Sequence, residues 1–356
     1  MKTEHKTIFS DSKQMSALLD QSADLLVTSP PYPMIKMWDA GFVRQDPGIQ
    51  RLIDKGKGYQ AFELMHQVLD WTWKEAYRVL KPGGFACINI GDATRTLDGN
   101  FALYTNHARI LKSVQEIGFT PLPCILWRKQ TNAPNKFMGS GMLPAGAYVT
   151  LEHEYILILR KGGKRVFASE KDKEKRRASA LFWEERNLWF SDIWFDIKGS
   201  RQALADKETR KRSAAFPLEL AYRLINMYSV KEDLVVDPFL GLGTTALAAM
   251  AAGRNSVGYE IDNTLGNPLG RGDEGLDQAF LDRAGQMVEK RLNAHDAFVA
   301  DRVITKGPLK YDNCHYGVPV MTNQERFLLL NLPQKIDTID EHTIQVRYLD
   351  GSHPIK

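Results

Sequence analysis

Apolar positions change period along this chain. Asp24-Leu25-Leu26-Val27-Thr28 is a short apolar run that halts at Ser29-Pro30-Pro31-Tyr32-Pro33. Proline cannot donate to a ladder, so this reads as a buried strand ending in a rigid loop. A segment rich in Gly, Asp and Lys follows, from Met34 to Gly58. Phe62, Met65, Leu69, Trp73, Ala76 and Leu80 then recur at three- and four-residue steps, which predicts an amphipathic helix. Lys81-Pro82-Gly83-Gly84 is its stop signal. Phe85 to Ile90 predicts the next strand, closing on Gly91-Asp92. Beyond it the pattern predicts a helix from Tyr104 to Gly118 and strands at Cys124 to Trp127 and Tyr155 to Leu159. A loop from Arg128 to Ala147 separates those strands.

Further on, Phe216 to Tyr228 reads as helix and Leu234-Val235-Val236 as strand. That strand runs into Asp237-Pro238-Phe239-Leu240-Gly241-Leu242-Gly243-Thr244-Thr245, and Ala246 to Ala252 continues as helix. Ser256 to Tyr259 is a strand delivering Glu260, and a helix follows near Leu276 to Ala294. The last stretch, 301–356, holds His342 to Tyr348 and an Asp350-Gly351 turn, and reads as a small β-rich appendage. Alternating strands and helices predict an α/β fold with a mainly parallel sheet.

Composition narrows the class. Of 356 residues, 43% are hydrophobic and 25% charged, which excludes a disordered chain, a collagen and a coiled-coil rod. No apolar run approaches the roughly 18 residues that span a bilayer. The opening MKTEHKTIFSDSK lacks an apolar core, so neither a secretory signal nor a membrane partner is expected, and the expected compartment is cytoplasmic. Cys87, Cys124 and Cys314 form no CxxC, so neither a disulfide framework nor a metal site is expected. The net charge of +4 is mild, but its distribution is uneven. One basic cluster runs from Arg160 to Arg177, and a second comprises Lys198, Arg201, Lys207, Arg210, Lys211 and Arg212. Trp71, Trp73, Trp183, Trp189 and Trp194 read as core residues.

Two loops carry chemistry. Gly241 and Gly243 lie between a strand and a helix, where glycines let a ligand approach the backbone and the helix N-terminus. Glu260 ends the following strand, where a carboxylate can accept from ribose hydroxyls. Gly241-x-Gly243-x-x-Ala246 suits a nicotinamide or flavin dinucleotide as well as an S-adenosyl cofactor. Order along the chain favours the latter, because little sheet remains downstream and the missing strands must come from the N-terminal half. In the other loop, two prolines restrict the backbone around the Ser29 hydroxyl and the Pro30 carbonyl. Two fixed acceptors beside the Tyr32 ring suit a planar base bearing an exocyclic NH2.

Together these motifs resemble the amino-methylating DNA methyltransferases, which modify cytosine N4 or adenine N6. The resemblance extends to Arg78-Val79-Leu80-Lys81-Pro82-Gly83-Gly84, to Glu152-His153-Glu154-Tyr155-Ile156-Leu157 and to Phe216-Pro217, spanning most of 20–295. The catalytic motif precedes the cofactor motif, as in the family's β class. The resemblance implies a Rossmann-like S-adenosylmethionine-dependent methyltransferase fold with permuted motif order, a target-recognition region and the appendage. It divides the chain into a catalytic half (1–160), a target-recognition region (161–212), a cofactor half (213–300) and the appendage (301–356).

It further implies double-stranded DNA as partner, with base flipping, and a restriction endonuclease in the same system; oligomeric state is left open. Ser29, Pro30, Pro31 and Tyr32 take the catalytic positions. Asp237, Pro238, Phe239, Gly241, Gly243, Thr244, Thr245, Glu260 and Phe216 take the cofactor positions, and Asp92, closing a strand after Gly91, is a further candidate for contacting the cofactor's polar groups. Where family members often carry His-Pro, this chain has Arg212-Ser213-Ala214-Ala215. In this family Ser at the first loop position goes mostly with cytosine N4, and Asp or Asn mostly with adenine N6. N4-cytosine methylation is therefore the first expectation, and N6-adenine methylation the alternative. A nicotinamide oxidoreductase and a catalytically silent DNA-binding module are the remote ones. C5 methylation would need a nucleophilic cysteine, and Cys124 sits in an apolar strand instead. His153 and Glu154 read equally as a cleft pair or a buried pair.

Overall fold

In the computed structural model, described residues are 1–129, 138–139, 143, 145–199, 216–266, 268–269 and 274–349. In chain order the elements are β1 (Lys2–Phe9), β2 (Ala23–Thr28), α1 (Asp39–Gln45), α2 (Gly48–Asp54), α3 (Gly58–Val79), β3 (Leu80–Ile90), β4 (Ala93–Leu97) and β5 (Asn100–Tyr104). There follow α4 (Asn106–Ile117), β6 (Phe119–Arg128), β7 (Met138–Gly139), β8 (Ala147–Tyr148), β9 (His153–Lys161), α5 (Glu170–Ala178), α6 (Trp183–Trp189) and β10 (Ile193–Trp194). The last are α7 (Leu218–Tyr228), β11 (Leu234–Asp237), α8 (Thr244–Ala252), β12 (Asn255–Glu260), α9 (Glu274–Lys306), β13 (Tyr311–Asp312), β14 (Pro319–Val320), β15 (Pro333–Asp340) and β16 (Thr343–Tyr348).

A ten-stranded sheet in the order β10-β6-β9-β3-β2-β11-β12-β1-β16-β15 organises the molecule. Its strands run parallel except β9 and β16. The strand β2 is buried along its whole length because both sheet faces are covered. Leu25 and Val27 point to the cluster formed with α7 and α8, whereas Ala23 and Leu26 point to the cluster formed with α3 and α4. Val235 and Val236 of β11 divide in the same way.

The chain order is permuted, as expected. From β2 it proceeds outward to β3, and from β11 it proceeds outward in the opposite direction to β12. The next strand beyond β12 is β1, which opens the chain and runs parallel to it. A crevice therefore forms between the carboxyl ends of β2 and β11, where open α/β sheets bind ligands.

Several expectations need correction. β1 has no apolar run because its inward positions are Thr3, His5 and Thr7, all buried. The Gly-, Asp- and Lys-rich segment contains α1 and α2. α3 does stop before Lys81, at Val79, but Lys81 to Gly84 already belongs to β3, with Gly83 at φ +84° lying against the Arg165 backbone. The helix α9 reaches Lys306, well past Ala294. The β15–β16 hairpin extends the main sheet at β1, although it lies in the stretch read as an appendage. Trp73, Trp189 and Trp194 are core residues, but Trp71 and Trp183 are exposed.

The first basic cluster packs at the amino ends of the parallel strands. Arg165 pairs with Asp233 at 2.6 Å and with Asp24 at 3.5 Å, Lys175 pairs with Glu232, and the Ser179 hydroxyl accepts from the Lys231 amide. In the second cluster only Lys198 is described; Arg201, Lys207, Arg210, Lys211 and Arg212 lie outside the described residues, as does the 212–215 departure from the family pattern. Among the described residues no helix is long and apolar enough to cross a membrane.

Candidate active site

A cavity of about 750 Å³ opens at the carboxyl ends of β2 and β11. Its wall joins Ser29, Pro30 and Pro31 to Asp237, Pro238, Phe239, Gly241, Thr244 and Glu260, with Phe216 alongside. Two loops separated by most of the chain thus share one cavity.

The junction is covalently remote but tightly bonded. The Asp237 carboxylate accepts from Thr28 Oγ1 at 2.6 Å, from Thr245 Oγ1 at 2.6 Å and from the Phe239 amide at 3.0 Å. Burial outweighs these bonds and pushes its carboxyl up to about 6. Asp237 therefore ties β2, β11 and the start of α8 together. Glu260 holds the glycine loop: Oε2 accepts from the Gly241 amide and Oε1 from the Asp262 amide, both at 2.8 Å. Each carboxylate oxygen keeps further acceptor capacity for a ligand hydroxyl.

Gly241 and Gly243 have φ of +53° and +78°, a region glycine enters without steric cost. A Cβ on Gly241 would find no protein atom nearer than Phe239 O at 4.0 Å, so the backbone is bare on the cavity side. Gly243 caps α8, whose first amides point toward that loop.

The catalytic-motif loop has its own supports. Tyr32 Oη donates to Glu154 Oε2 at 2.9 Å and accepts from Asn89 Nδ2 at 2.9 Å and Ser29 Oγ at 3.2 Å. Glu154 Oε1 accepts from Lys129 Nζ at 2.8 Å. Burial, then the Glu154 charge, push the Tyr32 phenol well up, so it stays protonated. On the other flank Asn106 Nδ2 donates to the carbonyls of Gly91 (2.9 Å) and Pro33 (3.2 Å), while its Oδ1 faces His66 Nε2 at 3.0 Å. Burial lowers His66 to about 4, so the ring is neutral at pH 7 and its Nε2–H supplies that bond.

Of the expected residues, Tyr32, Gly243 and Thr245 neighbour wall residues in the chain without lining the cavity, and one, Asp92, stands elsewhere. Asp92 faces α4, accepting from the His107 amide at 3.1 Å and pairing with its ring at 2.8 Å, and it is not in the cavity wall. Cys124 is a half-buried residue of β6, also outside the wall. Of the pair 153–154, Glu154 joins the Tyr32 network and His153 stacks edge-on against Tyr155. Sequence reasoning missed the opposite wall. Trp38, Gly41, Phe42 and Arg44 come from α1 and its approach, and Asp11 and Ser12 from the loop after β1. The only sequence signal for the latter was the alternation of Thr3, His5 and Thr7 with the charged Lys2, Glu4 and Lys6.

The comparisons agree with this geometry. The sequence pattern of a family described as DNA methylase, covering N6 and N4 methyltransferases, matches residues 23–266. The chain belongs to that family. The Type II methyltransferase M.MthZI of Methanothermobacter thermautotrophicus is 48% identical over 98% of this chain and 96% of its own. M.MjaI of Methanocaldococcus jannaschii, also a Type II methyltransferase, is 50% identical over 74% of this chain and 89% of its own. Among solved structures, TTHA0409 of Thermus thermophilus, complexed with S-adenosyl-L-methionine, aligns with a TM-score of 0.59 at 29% identity. The alignment covers 79% of this chain and 96% of that one.

The fold is thus that of the S-adenosylmethionine-dependent DNA methyltransferases, and the cofactor is S-adenosylmethionine. The dinucleotide alternative falls away. The cavity suits this methylase cofactor chemically: Phe239, Leu242 and Phe216 offer apolar contact for a purine, and Glu260 and Asp262 offer acceptors for hydroxyl and ammonium groups.

Proposed function

We propose that this methylase transfers a methyl group to the exocyclic N4 amine of a cytosine flipped out of double-stranded DNA, as the modification partner in a restriction system. The observation that carries the reading is the shared cavity, in which Ser29 and Pro30 stand across from Gly241, Thr244 and Glu260. The Type II character of the two archaeal relatives supports the restriction context.

When bound, S-adenosylmethionine supplies an electrophilic methyl on a sulfonium whose sulfur leaves as a neutral thioether. An exocyclic amine on a base is a poor nucleophile, because its lone pair is delocalised into the ring. The Ser29 hydroxyl and the Pro30 carbonyl accept from its two N–H bonds and draw the lone pair out of conjugation. Acceptors placed beforehand need no reorganisation during reaction, and one rigid cavity holds amine and methyl in line. The amine forms the new N–C bond and then releases one proton. Tyr32 stacks on the base, which must leave the duplex to reach this depth. A neutral hydroxyl at the first loop position supports cytosine over adenine.

The experiment is incubation with S-adenosylmethionine and unmethylated DNA, digestion to nucleosides and mass spectrometry. N4-methylcytosine is the expected product. N6-methyladenine would overturn the assignment of the base, and DNA binding with no methylated nucleoside would make the chain a silent module.

A further inference from the structure

Lys129, Glu154, Asn89 and Tyr32 form one connected network that leads to Ser29, and its hydrogens can be counted. Lys129 Nζ donates to Glu154 Oε1 at 2.8 Å, so the carboxylate faces an ammonium and has only lone pairs to offer. Its other oxygen receives Asn89 Nδ2 at 2.7 Å and Tyr32 Oη at 2.9 Å. The one proton on Tyr32 Oη is therefore committed to Glu154. Asn89, whose amide must present N–H to the carboxylate, also donates to Tyr32 Oη at 2.9 Å. Toward Ser29, at 3.2 Å, the phenol oxygen can only accept, and the single Ser29 hydroxyl proton goes to it.

We infer that Glu154, acting through Tyr32, fixes the Ser29 hydroxyl as an acceptor toward the target amine, and that Glu154 and Lys129 are positioning residues for methyl transfer. This rests on the proposed role of Ser29. A free hydroxyl would spend part of its time donating its proton toward the cavity, where it opposes an incoming N–H. The network removes that orientation before the base arrives. It also links the loop to β6 and β9, since Lys129 directly follows β6 and Glu154 lies in β9 at 9% exposure. The Cβ position of Gly91 lies 3.0 Å from the Tyr32 ring and 3.3 Å from Glu154 Cγ, so the two side chains share a tight slot.

The test is a double-mutant cycle between positions 154 and 32 on the full chain. It reads single-turnover methylation, KM for DNA and S-adenosylhomocysteine affinity. Glu154→Gln should lower kcat by about tenfold, the worth of one hydrogen bond to a charged group. KM and S-adenosylhomocysteine affinity should stay within about twofold, which a merely structural role would not predict. Tyr32→Phe should lower kcat as well, and adding Glu154→Gln to it should cost nothing more. Lys129 is 45% exposed, so Lys129→Gln serves as a second entry that leaves folding intact. It should slow wild type severalfold and leave Tyr32→Phe unchanged.

Losses that multiply in both double variants overturn the inference while the proposed function stands. Wild-type protein that methylates no amine overturns both.

Discussion

Thr28 and Asp237 stand 209 positions apart in the chain, with Thr28 Oγ1 2.6 Å from the Asp237 carboxylate. Thr28 immediately precedes the Ser29-Pro30-Pro31-Tyr32 loop, and Asp237 opens the loop that carries Gly241 and Gly243, so this bond sets the distance between the two motifs. Thr245 completes it from the first turn of α8 at 2.6 Å. In Asp237→Ala two buried hydroxyls lose their acceptor, which should destabilise the fold by about 3 kcal/mol. S-adenosylhomocysteine affinity should fall more than tenfold, given roughly 1.4 kcal/mol per decade. Asp237→Asn keeps one acceptor oxygen and the Thr hydroxyls can rotate, so most of both quantities should survive. Urea unfolding and calorimetric titration of the two variants check this; equal losses would contradict it.

Much of this site was legible in the sequence, because the two loops carry prolines and glycines whose backbone demands are local. The permutation followed from counting strands after Glu260. What stayed hidden depends on tertiary placement. β1 escaped notice because Thr3, His5 and Thr7 fill inward positions with polar side chains: His5 bonds Ser256 at 2.8 Å and Thr3 bonds Tyr348 at 2.8 Å. Period-two alternation was present, but without apolar residues to reveal it. Asp92 illustrates the converse, since a carboxylate after a strand can turn to its neighbouring helix as readily as to a cavity.

Acid should weaken this protein earlier than carboxylate titration alone would. His66 is lowered to about 4 and His5 to about 3, both by burial, from 6.5. Unfolded chains take up these protons first, so the stability from two neutral rings is complete above 6.5 and declines as pH falls toward those values. Asp237 runs the other way. Raised to about 6 from 3.8, it binds a proton first in the folded state and restores stability as pH falls through that window. His315, lowered by burial, and His295, raised against burial by its hydrogen bond to Glu184, act in opposite directions in the same window, and His5 and His66 together outweigh Asp237. Each tenfold difference in proton affinity between folded and unfolded chain is worth about 1.4 kcal/mol, so the net loss between pH 7.5 and 5 should be about 3 kcal/mol. Urea unfolding at the two pH values measures it. A flat profile would show that these rings are not held neutral, and His66→Gln should flatten the decline.

Gly91 controls the seat of Tyr32. A methyl there would lie 3.0 Å from the Tyr32 ring and 3.3 Å from Glu154 Cγ, so one of them must move by a few tenths of an ångström. Gly91 follows the end of β3 and does not have a positive φ, so the substitution is not expected to strain the backbone. Gly91→Ala should therefore lower kcat by about tenfold through misplacement of the loop. Cofactor affinity and unfolding midpoint should change little, because the cofactor loop lies across the cavity. Loss of product binding in step with kcat would show that the effect is global.

The two basic clusters should behave differently toward DNA. Lys164 and Lys171 are exposed in the segment that Arg165 anchors to Asp24 and Asp233, at the amino ends of the parallel strands. The cavity opens at the carboxyl ends of the same strands. A duplex seated over the cavity therefore lies away from these lysines. Lys198 instead follows β10, which runs parallel to β6 and ends beside Trp127; Gly199 approaches the side chain of Lys129, the partner of Glu154. Charge reversal by Lys164→Glu together with Lys171→Glu should leave KM for DNA within about twofold and the salt dependence of binding unaltered. Lys198→Glu should weaken binding and reduce the salt slope by about one phosphate contact. Binding titrations of both variants at several salt concentrations decide the matter. A reduced slope in the Lys164 and Lys171 variant would place the duplex across the amino ends as well, and would return the first cluster to the DNA-binding surface.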